Sequence, residues 1–259
     1  MRVINLTVNG IVDAAERGFF DWAATKDADV IALQDVRCRE YKIADNPAYQ
    51  LPGFEAYFFE GEDEDYGGTA IYVRETPKAI MRGLANYDLD KNGTLIQADY
   101  DQISIASLWI PPGRDSEGLD LQWHFMETLN AHMGKVRRKR RLFIYAGNFQ
   151  MAHQQRDLTD PHLHSNTLGF LPAQREWMDE LLGPTGYRDA LREVSRDDGY
   201  HSWWPTHDDL GTKADPGAWR VDYQICSEQL APKVLTASIY TERRFSDHAP
   251  VIVDYDLDL

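Results

Sequence analysis

Asp29-Val30-Ile31-Ala32-Leu33-Gln34-Asp35 is a run of four apolar residues that begins after an acid and stops on two polar side chains. So short an unbroken apolar run reads as a strand buried on both faces. Leu142-Phe143-Ile144-Tyr145-Ala146 repeats the pattern. Upstream, residues 3–8 alternate apolar and polar and end at Asn9-Gly10, a strand entering a turn. Between the two, residues 11–25 set Ala15, Phe19, Trp22 and Ala23 at helical spacing, which predicts an amphipathic helix. Further strand signals fall at 55–59, 69–73, 95–100, 104–110, 219–225, 234–240 and 251–255, and helices at 119–133 and 174–182. Strands and helices thus interleave from end to end. With no internal repeat, low-complexity segment or Pro/Ser-rich linker, the expectation is one α/β domain over residues 1–259. The loop at 151–168 is long, polar and carries His153, His162 and His164, and loops of that length are usually functional or mobile.

The chain has 259 residues, with 27 Lys and Arg against 42 Asp and Glu, a net charge of −15. The 43% hydrophobic content is near the globular average and argues against disorder. No run of about 18 or more apolar residues is present, so no membrane span is expected. The N-terminal residues lack a basic region followed by an apolar run, and Cys38 and Cys226 form neither a disulfide framework nor a zinc spacing. A cytoplasmic location is the expectation. At −15 the chain repels a polyanion overall, so contact with nucleic acid needs a local basic face. Lys135-Val136-Arg137-Arg138-Lys139-Arg140-Arg141 offers one, although most such runs are simply solvated.

Polar residues recur at successive strand ends: Thr7 with Asn9, Gln34 with Asp35, Trp109, Asn148 with Gln150, Asp222, and Asp247 with His248. Any one of these alone reads as a turn cap, but the set reads as one rim, a common place for an active site.

These blocks also carry a resemblance. Val8-Asn9-Gly10, residues 29–34, Gly68-Thr69-Ala70-Ile71-Tyr72, Gly169-Phe170-Leu171-Pro172, Trp203-Trp204, Trp219-Arg220-Val221-Asp222-Tyr223-Gln224 and Ser246-Asp247-His248-Ala249-Pro250 follow one another as in the endonuclease/exonuclease/phosphatase superfamily, on its exonuclease III branch. The resemblance implies a four-layer α/β sandwich, two packed mixed β-sheets flanked by helices. It also implies phosphodiester hydrolysis with a divalent metal, which needs hard oxygen ligands, a group that activates water, and donors for the phosphate charge.

The family pattern has an Asn, a Glu, a Tyr and a Gly-Asp-x-Asn motif where this chain has Thr7, Asp35, Trp109 and Gly147-Asn148-Phe149-Gln150. Asp35 is one methylene shorter than Glu, a retreat of about 1.5 Å, and Asn148 as an amide cannot act as a base. Gln122 stands near a family Lys. Asp222, Asp247 and His248 keep the pattern. The histidines of the loop have no metal spacing and read as solvated. The expectation from these substitutions is a protein that is not an enzyme, with no catalytic residue, metal or cofactor.

Asn46-Pro47-Ala48-Tyr49-Gln50-Leu51, the basic run before Ile144-Tyr145, and residues 189–196 resemble the bacterial catabolite repression control group of that branch. That resemblance implies a regulator that represses translation with the RNA chaperone Hfq at A-rich messenger sites. Arg137, Arg138, Lys139, Arg140 and Arg141 would then contact RNA or the partner. The alternative is a Mg²⁺-dependent exonuclease III-like nuclease or phosphodiesterase with a rebuilt site, carried by Asp35, Asp222, Asp247 and His248. A third reading is a protein-interaction module without RNA.

Overall fold

The computed structural model describes residues 1–139, 141–205 and 217–259. One sheet runs in the order β11 (Val234–Ile239), β12 (Val251–Tyr255), β1 (Arg2–Thr7), β2 (Val30–Gln34), β4 (Thr69–Val73) and β3 (Glu55–Phe59). The other runs β5 (Ala79–Arg82), β6 (Leu95–Asp99), β7 (Ile103–Trp109), β8 (Leu142–Asn148), β10 (Asp222–Ser227) and β9 (Tyr187–Asp189). Each sheet has a central parallel pair, β1 with β2 and β7 with β8, among antiparallel neighbours. A parallel pair needs a crossover on the outer face of its sheet. Helices α1 (Ile11–Glu16) and α2 (Phe19–Ala24) supply the first; after the short α3 (Glu40–Ile43) and α4 (Tyr87–Asp90), the long α5 (Ser116–Val136) supplies the second. Helices α6 (Pro172–Leu182) and α7 (Ala190–Val194) follow.

Strand alternation builds the layers. Val3, Ala32, Ile71, Ile105, Ile144 and Val253 meet between the sheets. Ile4, Leu6, Ile31 and Leu33 point outward onto Phe19 and Trp22, and Tyr145 and Tyr223 point outward into a cluster with Phe125 and Met178. The result is helix, sheet, sheet, helix, the four-layer sandwich the sequence leads one to expect. Among the described residues no helix is long and apolar enough to cross a membrane.

The helix expected over 11–25 is two helices. Gly18 adopts φ 83°, and a Cβ there would lie 2.5 Å from the Arg243 guanidinium, so the chain turns at a residue that only glycine suits. The strand expected from 219 begins at Asp222, because Trp219 makes its bridges to Leu158 and Trp203 instead. The three- and four-residue strands β9 and β5 are too short to show alternation.

Toward one end the inter-sheet face turns polar. Asn5, Thr7, Gln34, Ser107 and Asp222 are all buried there. The Gln34 amide donates to Ser107 Oγ at 2.8 Å and so links the sheets, whereas neither polar atom of the Asn5 side chain has a hydrogen-bond partner among the described residues. β7 and β8 approach so closely at Leu108 and Gly147 that a Cβ on Gly147 would lie 1.8 Å from the Leu108 carbonyl oxygen. That approach delivers Asn148 beside Trp109 at the polar end.

Candidate active site

The polar end is where both parallel pairs finish. Register sets Thr7 beside Gln34 in one sheet, and Trp109, Asn148 and Asp222 side by side in the other. Asp222 joins the sheets: its Oδ1 accepts from Thr7 Oγ1 at 2.6 Å, and its Oδ2 accepts from Ser202 Oγ at 2.7 Å. His248 Nδ1 lies 2.7 Å from the same Oδ2. Burial works to lower the His248 pKa, but the charge and hydrogen bond of Asp222, with Asp247 and Asp35 further off, outweigh it and raise the pKa above 6.5. The imidazolium is therefore favoured, with Nε2 directed at the rim, 3.9 Å from Asp247 Oδ1. Asp247 is held in turn by the Asn9 amide on Oδ1 and by Trp203 Nε1 on Oδ2 at 3.1 Å.

Above this floor lies a cleft of about 600 Å³. Trp109, Trp203 and Trp219 line it with Asp35, Arg37, Arg114, Asn148, Gln150, His164, Asp247 and His248. Four of the seven non-glycine residues with positive φ among the described residues are here: Asn9, Asp35, Arg37 and Gln150. Such backbone costs of order 1–3 kcal/mol per residue and clusters at functional sites. Asp35 is fixed on both oxygens, Oδ1 by the Gly67 N–H at 2.8 Å and Oδ2 by Arg37 Nη2 at 2.5 Å. Asn148 Oδ1 accepts from the Gln150 N–H at 2.8 Å, which leaves its amide nitrogen for the cleft.

The model of the Endonuclease/Exonuclease/phosphatase family matches residues 8–248, a span that runs from the end of β1 to His248 itself. The chain belongs to this family. Within the Endonuclease/Exonuclease/phosphatase family it is similar to an exodeoxyribonuclease of Bacillus subtilis, 27% identical over 97% of this chain and 98% of that one. It is also similar to the DNA repair nuclease APEX1 of Danio rerio, 25% identical over 97% of this chain and 81% of that one. An AP endonuclease structure from Archaeoglobus fulgidus shares the fold, with a TM-score of 0.89 at 20% identity over 99% of this chain and 100% of that one. These relatives carry the names of enzymes, and they overturn the expectation, drawn from the substituted positions, that the protein is not an enzyme. The substitutions change side-chain chemistry, but they leave the cleft and its charged floor in place.

Of the ten rim residues read from the sequence, Asn9, Asp35, Trp109, Asn148, Gln150, Asp247 and His248 line the cleft, Thr7 and Asp222 lie directly behind them, and Gln34 is buried between the sheets. Gln122 lines it too but is tied into the scaffold, donating to the Pro111 carbonyl and accepting from Gln174, each at 2.9 Å. One loop histidine is not solvated as expected, and a second is half-buried. His153 is buried against Asp179 at 2.7 Å, and His164 packs edge-on against Trp219. Arg37, Arg114 and Ser202 carry no motif and are apparent only in three dimensions. In the basic run, Arg137 donates to the Pro184 and Thr185 carbonyls, and Arg141 to Ser104 Oγ and to the Tyr100 and Ile103 carbonyls. Arg138 and Lys139 are exposed, and Arg140 lies outside the described residues.

The divalent cation that the family resemblance implies does not fit these donors. Mg²⁺ requires near-octahedral oxygen ligands at about 2.0–2.1 Å. Here both oxygens of Asp35, Asp222 and Asp247 accept from protein donors, and Arg37 places a fixed positive charge against Asp35. Among the described residues no group of three or more His, Cys, Asp or Glu could hold a metal ion.

Proposed function

We propose that the protein hydrolyses phosphoesters of nucleic acid in this cleft, as an exonuclease III-like enzyme with an altered site. The observation that carries the reading is the buried Asp222–His248 pair, whose imidazolium faces the cleft at the end of both parallel strand pairs. The names of the relatives, an exodeoxyribonuclease and a DNA repair nuclease, support it.

In this reading Asp222 holds the imidazole by Nδ1, so that Nε2–H is the acid. The oxygen of a water molecule bonds to phosphorus as the ester P–O bond breaks. Nε2 gives its proton to the departing oxygen, and the Asp247 carboxylate takes the proton of the water. The Asn148 amide and Arg37 neutralise the oxygens of the transition state. The aromatic wall of Trp203 and Trp219 suits the sugar or base next to the phosphate.

The test is to incubate the protein with oligonucleotides ending in a 3′-hydroxyl or 3′-phosphate, or carrying an abasic site, and to measure shortened strands and released phosphate. Product is expected, reduced by at least about 10²-fold in Asp222→Asn, where the imidazolium loses its counter-charge. Absence of product from every substrate, or equal product from the variant, would reject the reading.

The exposure of Arg138 and Lys139 favours a second reading at a different surface, contact with the phosphates of A-rich RNA presented by Hfq. Reversing both charges (Arg138→Glu with Lys139→Glu) is expected to abolish a supershift of the Hfq–RNA complex. Retention of the supershift would sink this reading.

A further inference from the structure

Arg37 is a cleft residue that neither motif nor spacing marks. It follows β2 by three residues and takes φ 50°, two positions after Asp35 at φ 54°. Its backbone is pinned, with its N–H on the Gly67 carbonyl at 2.9 Å and the Val36 N–H on the Gly68 carbonyl at 3.1 Å. Two left-handed residues so close together turn its side chain back over Asp35, where Nη2 makes the 2.5 Å ion pair. Nε is buried without a hydrogen-bond partner, and Nη1 has none among the described residues. An arginine used only to neutralise Asp35 would be expected to make the two-pronged contact that its geometry allows. This one makes a single contact and keeps Nη1 in hand at a cleft wall, with Nε buried behind it. Burial opposes its charge, but Asp35, with Asp247 and Asp13 beyond, more than restores it.

We propose that the Arg37 guanidinium, braced by Asp35, supplies the positive charge that holds the substrate phosphate in this cleft, in place of a divalent cation. The proposal rests on the reading of the cleft as a nucleic-acid phosphate site. Asp35 is then a brace that orients a protein cation. A guanidinium is suited to the role because it is planar, always charged and matched to phosphate oxygens. The strain at positions 35 and 37 follows as well, since relaxing either φ would swing the guanidinium off the carboxylate.

The experiment is the binding of a dye-labelled oligonucleotide with a 3′-phosphate, titrated in EDTA and again in Mg²⁺, with the 3′-hydroxyl oligonucleotide as reference. For the wild type, affinity for the phosphorylated end is expected to agree within about twofold in the two buffers. Arg37→Ala is expected to weaken it at least about tenfold in both, consistent with loss of a charged hydrogen bond. Arg37→Lys, which keeps charge without the fork, should fall between, and unchanged melting curves would show that the variants fold. Binding that appears only with Mg²⁺, equal binding by Arg37→Ala, or no preference for the phosphorylated end would each overturn the proposal. Hydrolysis is scored separately. Metal-free, Arg37-dependent binding without product would reject the hydrolase and keep this inference. Mg²⁺-dependent product with no effect of Arg37→Ala would do the reverse.

Discussion

Replacing Arg220 with alanine is expected to lower the stability of the protein by about 3–5 kcal/mol, the range for removing one partner of a buried ion pair. Arg220 is fully buried, with Nε 2.9 Å from Asp157 and Nη1 2.7 Å from Asp189, and its guanidinium lies 4.3 Å over the Tyr223 ring. Asp157 also accepts from Arg192 at 2.6 Å and from the Gln154 N–H at 2.8 Å. Two arginines and two aspartates therefore balance one another, with Arg220, Asp157 and Asp189 buried and Arg192 half-buried at the edge. Deleting Arg220 leaves Asp189 without its cation and Asp157 with only Arg192. Against a typical total of about 5–15 kcal/mol the loss is severe.

Arg220→Lys should recover part of it, because one ammonium cannot reach both acids with a fork's geometry. Urea unfolding measures both variants, and a loss below about 1 kcal/mol for the alanine would show that the network is not stabilising. Acid provides a second readout. Burial alone would raise the Asp157 pKa, but Arg220 and Arg192 prevail and hold it well below the usual carboxylate range. A depressed folded-state pKa adds stability that is complete above the unfolded value and disappears as pH falls through the folded one. The variant should therefore lose less stability between neutral pH and pH values below the carboxylate range.

The second large effect is expected at His248. His248→Gln keeps a polar side chain of similar reach but cannot become a cation, so kcat/KM for phosphoester hydrolysis should fall by about 10²–10⁴-fold. The pH profile carries the sign. A pKa raised above its ordinary value extends the imidazolium to higher pH, and the rate should decline as pH rises through that raised value. The stability contributed by the Asp222–His248 pair has the same direction, present below the unfolded value and lost as pH rises through the folded one. An alkaline limb that persists unchanged in His248→Gln would assign it to another group. Folding should survive, since Asp222 keeps its bonds from Thr7 and Ser202.

Much of the architecture could be read from the chain because its strands are short and buried. The apolar runs at 30–33 and 142–146 fall inside β2 and β8, the strands whose ends build the site. The rim could be read for the same reason: Asp35 and Asn148 each sit where an apolar run stops, and Asp222 sits where β10 begins. Periodicity sees spacing and not backbone angle, so it missed the break at Gly18 and the left-handed turns at Asp35 and Arg37. The expectation of a protein without catalysis failed differently. It followed each substituted position separately, and it had no view of Arg37 against Asp35 or of Ser202 behind Asp222. The basic run gave a similar lesson, since a charge pattern cannot show that Arg137 and Arg141 spend their donors on backbone carbonyls.

The polar end of the sandwich has a consequence for how the molecule opens. Where Val3, Ile71, Ile105 and Val253 meet, separating the sheets exposes only apolar surface to water, and the hydrophobic effect opposes it fully. Around Asn5, Gln34 and Ser107, arriving water finds unpaired or replaceable donors and acceptors, so hydration offsets much of the cost of parting. The two sheets are thus expected to act as a hinge clamped at the oily end, with a breathing of the cleft floor as the first low-energy fluctuation, which faster amide hydrogen exchange at 5–7 than at 251–253 would show. In the hydrolase reading, the groups proposed to meet a phosphate are mounted on the part of the fold expected to yield first.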